Sequence, residues 1–211
     1  MPRKLSKSNY TLGPTNNRRS SMSSQTTDTP ILSPDIAVPS WLQDGLPVPH
    51  DVCVSTPIRA APQSNHATFV DRNGESFSLY RDVPHILQLI SSLPENPIRL
   101  AVASKSPVGD LCREALKLLR LPAAGGSGKG KKTIEVFDGG LEIYEGTKLR
   151  HFEVISRRTG VPFHEMLFFD DERPNREVEQ LGVTMRLVEN GLSWNELEKG
   201  VQQWRKKRGF A

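Results

Sequence analysis

Hydrophobic positions keep a regular period only from about Val70 onward. Asp71–Glu75 reads as a turn, and Phe77–Tyr80 leads into a helix with Val83, Ile86, Leu87 and Ile90 on one face. The apolar run from Ile98 to Ser104 reads as a strand buried on both faces. Pro107 is expected to open the next helix, which carries Val108, Leu111, Cys112, Ala115, Leu116 and Leu119. A helix over about 148–158 follows, with Thr147 as its N-cap and Gly160 closing it. MLFFDD from Met166 is a second buried strand, 176–181 a short helix stopped by Gly182, and VTMRLV from Val183 a third strand. Ser193 with Glu196 forms a capping-box signal for a last helix striped by Trp194, Leu197, Val201 and Trp204. Strands alternating with helices in this way predict an α/β fold with a parallel sheet.

The first quarter of the chain has no such texture. From Met1 to about Asp51 it is dominated by Ser, Thr, Pro, Asn and Gln, and its one apolar patch, Ile36–Leu42, is split by Pro39. A stretch like this buries too little to offset the roughly 1–2 kcal/mol of backbone entropy lost per ordered residue. The expected organisation is a disordered tail over 1–51 and one domain over 52–211.

Composition narrows the function classes. Lys and Arg number 28 against 24 Asp and Glu, a net +4 that is small and scattered, which does not argue for a nucleic-acid partner. No run of about 18 apolar residues is present, so no membrane span is expected. The basic start lacks an apolar core and does not read as a secretory signal. Two cysteines, Cys53 and Cys112, make no disulfide framework, which favours a reducing, cytoplasmic setting. The basic run Arg205–Arg208 keeps the nucleus in view, although a helix tail of exposed bases is the commoner meaning. Gly125–Lys132 nearly spells a phosphate-binding loop but ends in Lys132 where Ser or Thr is needed, and no strand leads into it, so it reads as a flexible insertion. His151 and His164 have no partners at metal-site spacing and read as surface or packing residues.

Chemistry is expected where the strands end, because open α/β sheets place their sites beyond the carboxyl ends. The first buried strand runs into Ser104-Lys105-Ser106 and the second into Asp170-Asp171-Glu172. Three consecutive acids repel one another unless a cation sits among them, and an all-oxygen donor set suits Mg²⁺ better than zinc. The competing reading is that Asp170 or Asp171 simply caps the next helix. Lys148 at a helix start fits the macrodipole poorly, and alone would read as a solvated lysine. Together, a serine hydroxyl, a lysine and an acid pair make a coherent phosphate site.

From about Val54 to the C-terminus the chain resembles the eukaryotic magnesium-dependent phosphatases of the haloacid dehalogenase (HAD) superfamily. The stretches that carry the resemblance are VSTPIRA, VDRNGESFSLYRDVP, AVASKS, GLEIYEGTKLRHFE, TGVPFHEMLFFDDERPN and LGVT, with FFDDE and the downstream Asn175 the most specific. The resemblance implies a HAD-like Rossmannoid parallel sheet and a Mg²⁺-dependent phosphomonoesterase acting on phosphotyrosyl protein or a small phosphorylated molecule such as a sugar phosphate. It implies that Ser104 binds the phosphoryl group, Lys148 stabilises the phospho-intermediate, and Asp170 and Asp171 serve Mg²⁺. Lys105 and Asn175 are implied to contact substrate.

The family's attacking aspartate lies in an Asp-x-Asp-x-Thr pattern on the first, central strand, and that pattern occurs nowhere in this sequence. Its nearest echo, Asn9–Pro14, puts Lys7 and Asn9 at the two aspartate positions, where neither lysine nor an amide can do the work. No nucleophile is identifiable from sequence. The central strand itself is therefore expected to be missing, a loss of about 10 kcal/mol of apolar burial. That size of loss favours a truncated or mis-assembled coding sequence over a divergent pseudophosphatase that binds phosphate without turnover.

Overall fold

The computed structural model describes residues 31–34 by their backbone, and residues 54–61, 68–93, 98–123 and 130–210 in full. Within them lie strands β1 (Ile31–Pro34), β2 (Arg59–Ala60), β3 (Thr68–Val70), β4 (Ser76–Ser78), β5 (Arg99–Ser104), β6 (Gly140–Ile143), β7 (Met166–Asp170) and β8 (Thr184–Leu187). The α-helices are α1 (Val83–Ser91), α2 (Gly109–Leu118), α3 (Lys148–Thr159) and α4 (Trp194–Lys207). Five strands form a parallel sheet in the order β6-β5-β1-β7-β8, and β2-β3-β4 form a smaller antiparallel sheet.

Side-chain alternation along the strands builds two cores. Leu100, Val102, Leu167 and Phe169 face one layer with Val83, Ile86 and Leu87 of α1, Leu116 of α2 and Trp204 of α4. Ala101, Ala103, Met166 and Phe168 face the other, with Phe152 and Ile155 of α3 and Val178. Period-2 alternation of apolar residues on both faces is what a sheet covered on both sides requires. Helix α4 approaches its face closely at Gly200, where an added Cβ would meet the Phe169 ring at 2.5 Å.

One expectation is overturned at the centre of the sheet. The middle position is not missing. Ile31–Pro34 fills it, pairing Ile31 with Arg99 and Leu32 with Leu100 on one side, and Ile31 through Pro34 with Met166 through Phe169 on the other. These four residues lie inside the stretch expected to be a strandless tail. Four residues are too few to hold a recognisable period, and the two flanking strands supply the hydrogen-bonding partners that local sequence does not advertise. The rest of 1–53, including the Asn9–Pro14 echo and Cys53, lies outside the described residues, as does most of the glycine-rich loop.

Other differences are smaller. Helix α2 starts at Gly109, leaving Pro107 outside it and Val108 exposed. Trp194 is exposed at the first turn of α4, whose buried stripe is completed by Gly200 and Trp204. Strand β6 escaped the hydrophobic pattern because Glu142 sits in its middle; its buried carboxylate is neutralised by Arg158 at 2.5 Å. Between β3 and β4 the expected turn is present and closes on Asp71. Its carboxylate accepts backbone N–H groups from Ser55 (3.1 Å), Asn73 (2.8 Å) and Glu75 (2.9 Å).

Candidate active site

Three chain segments converge at the carboxyl edge of the parallel sheet. β5 ends at buried Ser104, β7 ends at buried Asp170, and the connection leaving β6 delivers Lys148 to the first turn of α3. Lys148 is 1% exposed, unlike an ordinary solvated lysine. Its Nζ donates to Asp170 Oδ2 at 2.9 Å and to the Ala103 carbonyl at 2.6 Å, and lies 5.1 Å from the centroid of the Phe168 ring. The Ala103 contact places the ammonium against the residue that precedes Ser104.

The helix start that seemed ill-suited to a lysine is compensated by an acid. Thr147 Oγ1 accepts the Arg150 N–H at 3.3 Å, as expected of an N-cap, and Glu177 Oε1 accepts the Lys148 backbone N–H at 2.9 Å. A carboxylate on the first free N–H groups of a helix is where the macrodipole favours it.

Asp170 is the hub. Asn175 Nδ2 lies 2.9 Å from both of its carboxylate oxygens and 2.8 Å from Glu172 Oε2, while the Glu172 N–H donates to Asp170 Oδ1 at 2.7 Å. The helix-capping alternative does not describe this residue. The following 3-10 helix, Arg173–Leu181, has Glu172 at its N-cap without a side-chain cap bond. Asn175 Oδ1 is buried with no protein partner, an acceptor left over beside two carboxylates. Ser104 Oγ accepts the Ser106 N–H at 3.2 Å, and the Ser104 carbonyl accepts the Tyr144 N–H at 3.1 Å.

Lys148, Asp170 and Asn175 are thus brought into direct contact, and Ser104 stands one residue from the Lys148–Ala103 bond. Lys105 and Asp171 follow their strand ends and are half-buried at the rim. Sequence reasoning did not find Glu177, whose partner lies across a chain crossover with no local spacing to betray it. Of the two histidines read as surface or packing residues, His151 is fully buried and His164 is exposed.

The donor set fits a magnesium ion. It is all oxygen, and Asn175 Oδ1 is a buried acceptor without a partner. Among the described residues no group of three or more acidic, histidine or cysteine side chains stands ready to hold a metal alone. Mg²⁺ characteristically takes one or two carboxylates and completes its shell with water and substrate phosphate.

A doubly covered parallel sheet that gathers a serine, a buried lysine and an acid at the carboxyl edge of its strands has the architecture of an open α/β protein, whose sites lie at that edge. Residues 46–207 match the acid phosphatase family, and the chain belongs to it, as a HAD-type phosphatase. It is similar to Magnesium-dependent phosphatase 1 of Homo sapiens, 34% identical over 68% of this chain and 73% of that protein. It is also similar to a HAD-like hydrolase superfamily protein of Schizosaccharomyces pombe, 33% identical over 68% of this chain and 80% of that protein.

Proposed function

We propose that this chain is a magnesium-dependent phosphomonoesterase acting on a phosphotyrosyl protein or a small phosphorylated molecule such as a sugar phosphate. The observation that carries the reading is the buried Lys148–Asp170 pair set against the backbone beside Ser104. Burying a lysine is costly unless it is paired, and a site that receives an anion justifies that cost. The Ser104 hydroxyl and Lys148 ammonium hold phosphoryl oxygens and offset charge that grows as the ester bond breaks. Asp170 orients Lys148, and Asn175 and the Glu172 N–H fix Asp170 in turn. Asp171, with Asp170, would hold Mg²⁺, which when bound supplies Lewis-acid polarisation of the phosphoryl group. Lys105 on the rim steers the anionic substrate. A cytoplasmic setting accords with the buried Cys112 thiol, which donates to Ser106 Oγ at 3.4 Å.

The second reading, phosphate binding without turnover, is favoured by the absence of Asp-x-Asp-x-Thr from the sequence. The central strand gives that question a place to be asked. Asp35 is the next residue in the sequence after Pro34, and so the first carboxylate to replace. Hydrolysis of p-nitrophenyl phosphate with and without Mg²⁺ decides between the readings. An enzyme should lose a factor on the order of 10² or more in kcat on Ser104→Ala, as loss of a transition-state contact does. Asp35→Asn should abolish turnover while phosphate binding persists. A wild-type chain that binds phosphate but shows no Mg²⁺-dependent turnover establishes the second reading instead.

A further inference from the structure

Helix α3 carries a second buried titratable side chain that the chemistry above does not use. The His151 ring is 0% exposed. Its Nδ1 lies 2.7 Å from the Thr147 carbonyl oxygen and its Nε2 lies 3.0 Å from the Tyr144 carbonyl oxygen. The Tyr144 ring stacks on the imidazole, with centroids 4.3 Å apart and 20° between planes. One side chain therefore touches both ends of the connection from β6 to α3. At one end, the Tyr144 N–H is bonded to the Ser104 carbonyl. At the other, Thr147 is followed directly by Lys148. Between them Gly146 has φ 153°, a backbone conformation that a side chain would disfavour.

We propose that His151 is a positioning residue for the phosphoryl site, clasping the Tyr144 and Thr147 carbonyls so that Ser104 and Lys148 are held at the spacing a phosphate requires. This rests on the reading of Ser104 and Lys148 as phosphate ligands. A ring that only filled space would need no carbonyl oxygen at each nitrogen. Because both facing groups are acceptors, the neutral imidazole satisfies one of them and only the imidazolium satisfies both. The groups around the ring pull in opposite directions. Burial pushes its pKa down, the Thr147 and Tyr144 carbonyls push it up, Lys148 on its own helix lowers it and Glu142 on β6 raises it, leaving it below the usual histidine value. Acidification thus takes the clasp from one bond to two.

The test uses the full chain with inorganic phosphate as the probe, measured by titration calorimetry in Mg²⁺ across about pH 5 to 8, the range in which histidine titrates. His151→Phe keeps the stacked ring and removes both bonds; His151→Gln restores donors without the ring. His151→Phe should weaken phosphate binding about tenfold, the effect of losing one to two hydrogen bonds' worth of preorganisation. It should retain only the pH dependence that phosphate itself brings, and His151→Gln should recover part of the affinity. Wild-type affinity in His151→Phe overturns the proposal, as does a glutamine variant no better than phenylalanine. Ser104→Ala separates the two levels of inference. If it binds phosphate as well as wild type, or if wild type binds none, the phosphate-site reading falls and this proposal with it. A readout that needs no variant is the pair of His151 ring-nitrogen NMR shifts, which should move on phosphate saturation; unchanged shifts also overturn it.

Discussion

Two aspartates in this molecule are equally buried and differently served. Asp71, in the turn between β3 and β4, receives backbone N–H groups from Ser55, Asn73 and Glu75. Asp170, at the end of β7, receives a lysine ammonium and an asparagine amide brought from other elements, with one backbone N–H among the described residues. Backbone donors cannot be exchanged or moved without unmaking the turn, so Asp71 is tied to structure. Side-chain donors can carry charge, as Lys148 does, can be substituted one at a time, and can turn toward a ligand. Burial alone does not mark a functional carboxylate; the origin of its donors does.

The comparison breaks most visibly at Lys148. Lys148→Met strands the Asp170 carboxylate without its cation and should cost about 3–5 kcal/mol in urea unfolding. It should also remove phosphate binding. Full stability in that variant would mean that the pair is not the hub described here. Asn175→Leu is next. It removes the amide from both Asp170 oxygens and should destabilise by about 1–3 kcal/mol, with a fall in phosphate affinity.

Asp71→Asn sharpens the contrast from the other side. It should lower the melting temperature by less than Lys148→Met and leave phosphate affinity at the wild-type value. A loss of affinity there would erase the distinction. The same aspartate gives an acid-limb prediction. Burial pushes its carboxyl up, but backbone N–H groups from Ser55, Glu75, Asn73 and Gly74 outweigh that and hold it below its ordinary value. Its stabilisation is therefore complete above the unfolded value of about 3.9 and is lost as pH falls through the lower folded one. Asp71→Asn should flatten that limb. The smallest effect is expected at His151, whose folded pKa is depressed. Its contribution is present above an unfolded value of about 6.5 and fades as pH falls toward the folded one. Thermal melts of His151→Phe should lack that shallow slope.

Much of this was written locally. Val83, Ile86, Leu87 and Ile90 declared α1 by spacing, Thr147 and Gly160 bracketed α3, and the unbroken apolar runs of β5 and β7 pointed to strand ends where Ser104 and Asp170 stand. What was illegible depends on distant neighbours. Ile31–Pro34 becomes a strand because β5 and β7 leave a gap between them. Glu142 is tolerated in β6 because Arg158 reaches it, and Glu177 meets Lys148 only after a crossover. Periodicity reports which face a residue buries and says nothing about which remote group completes it.

The position of β1 has a further consequence for the order in which the sheet is assembled. The outer pairs join near neighbours in the chain, as when Leu167 meets Thr184, whereas the middle pair joins Ile31 to Met166, the longest separation of any pairing in this sheet. Loop-closure entropy grows with length and must be met before pairing repays it, so long-range strand pairings form slowly. The two halves, β5 with β6 and β7 with β8, are expected to form first, each with an open inner edge. Ile31–Pro34 then joins them. The strand that holds the sheet together is the last to arrive, and until it does both inner edges are open to pairing with another chain.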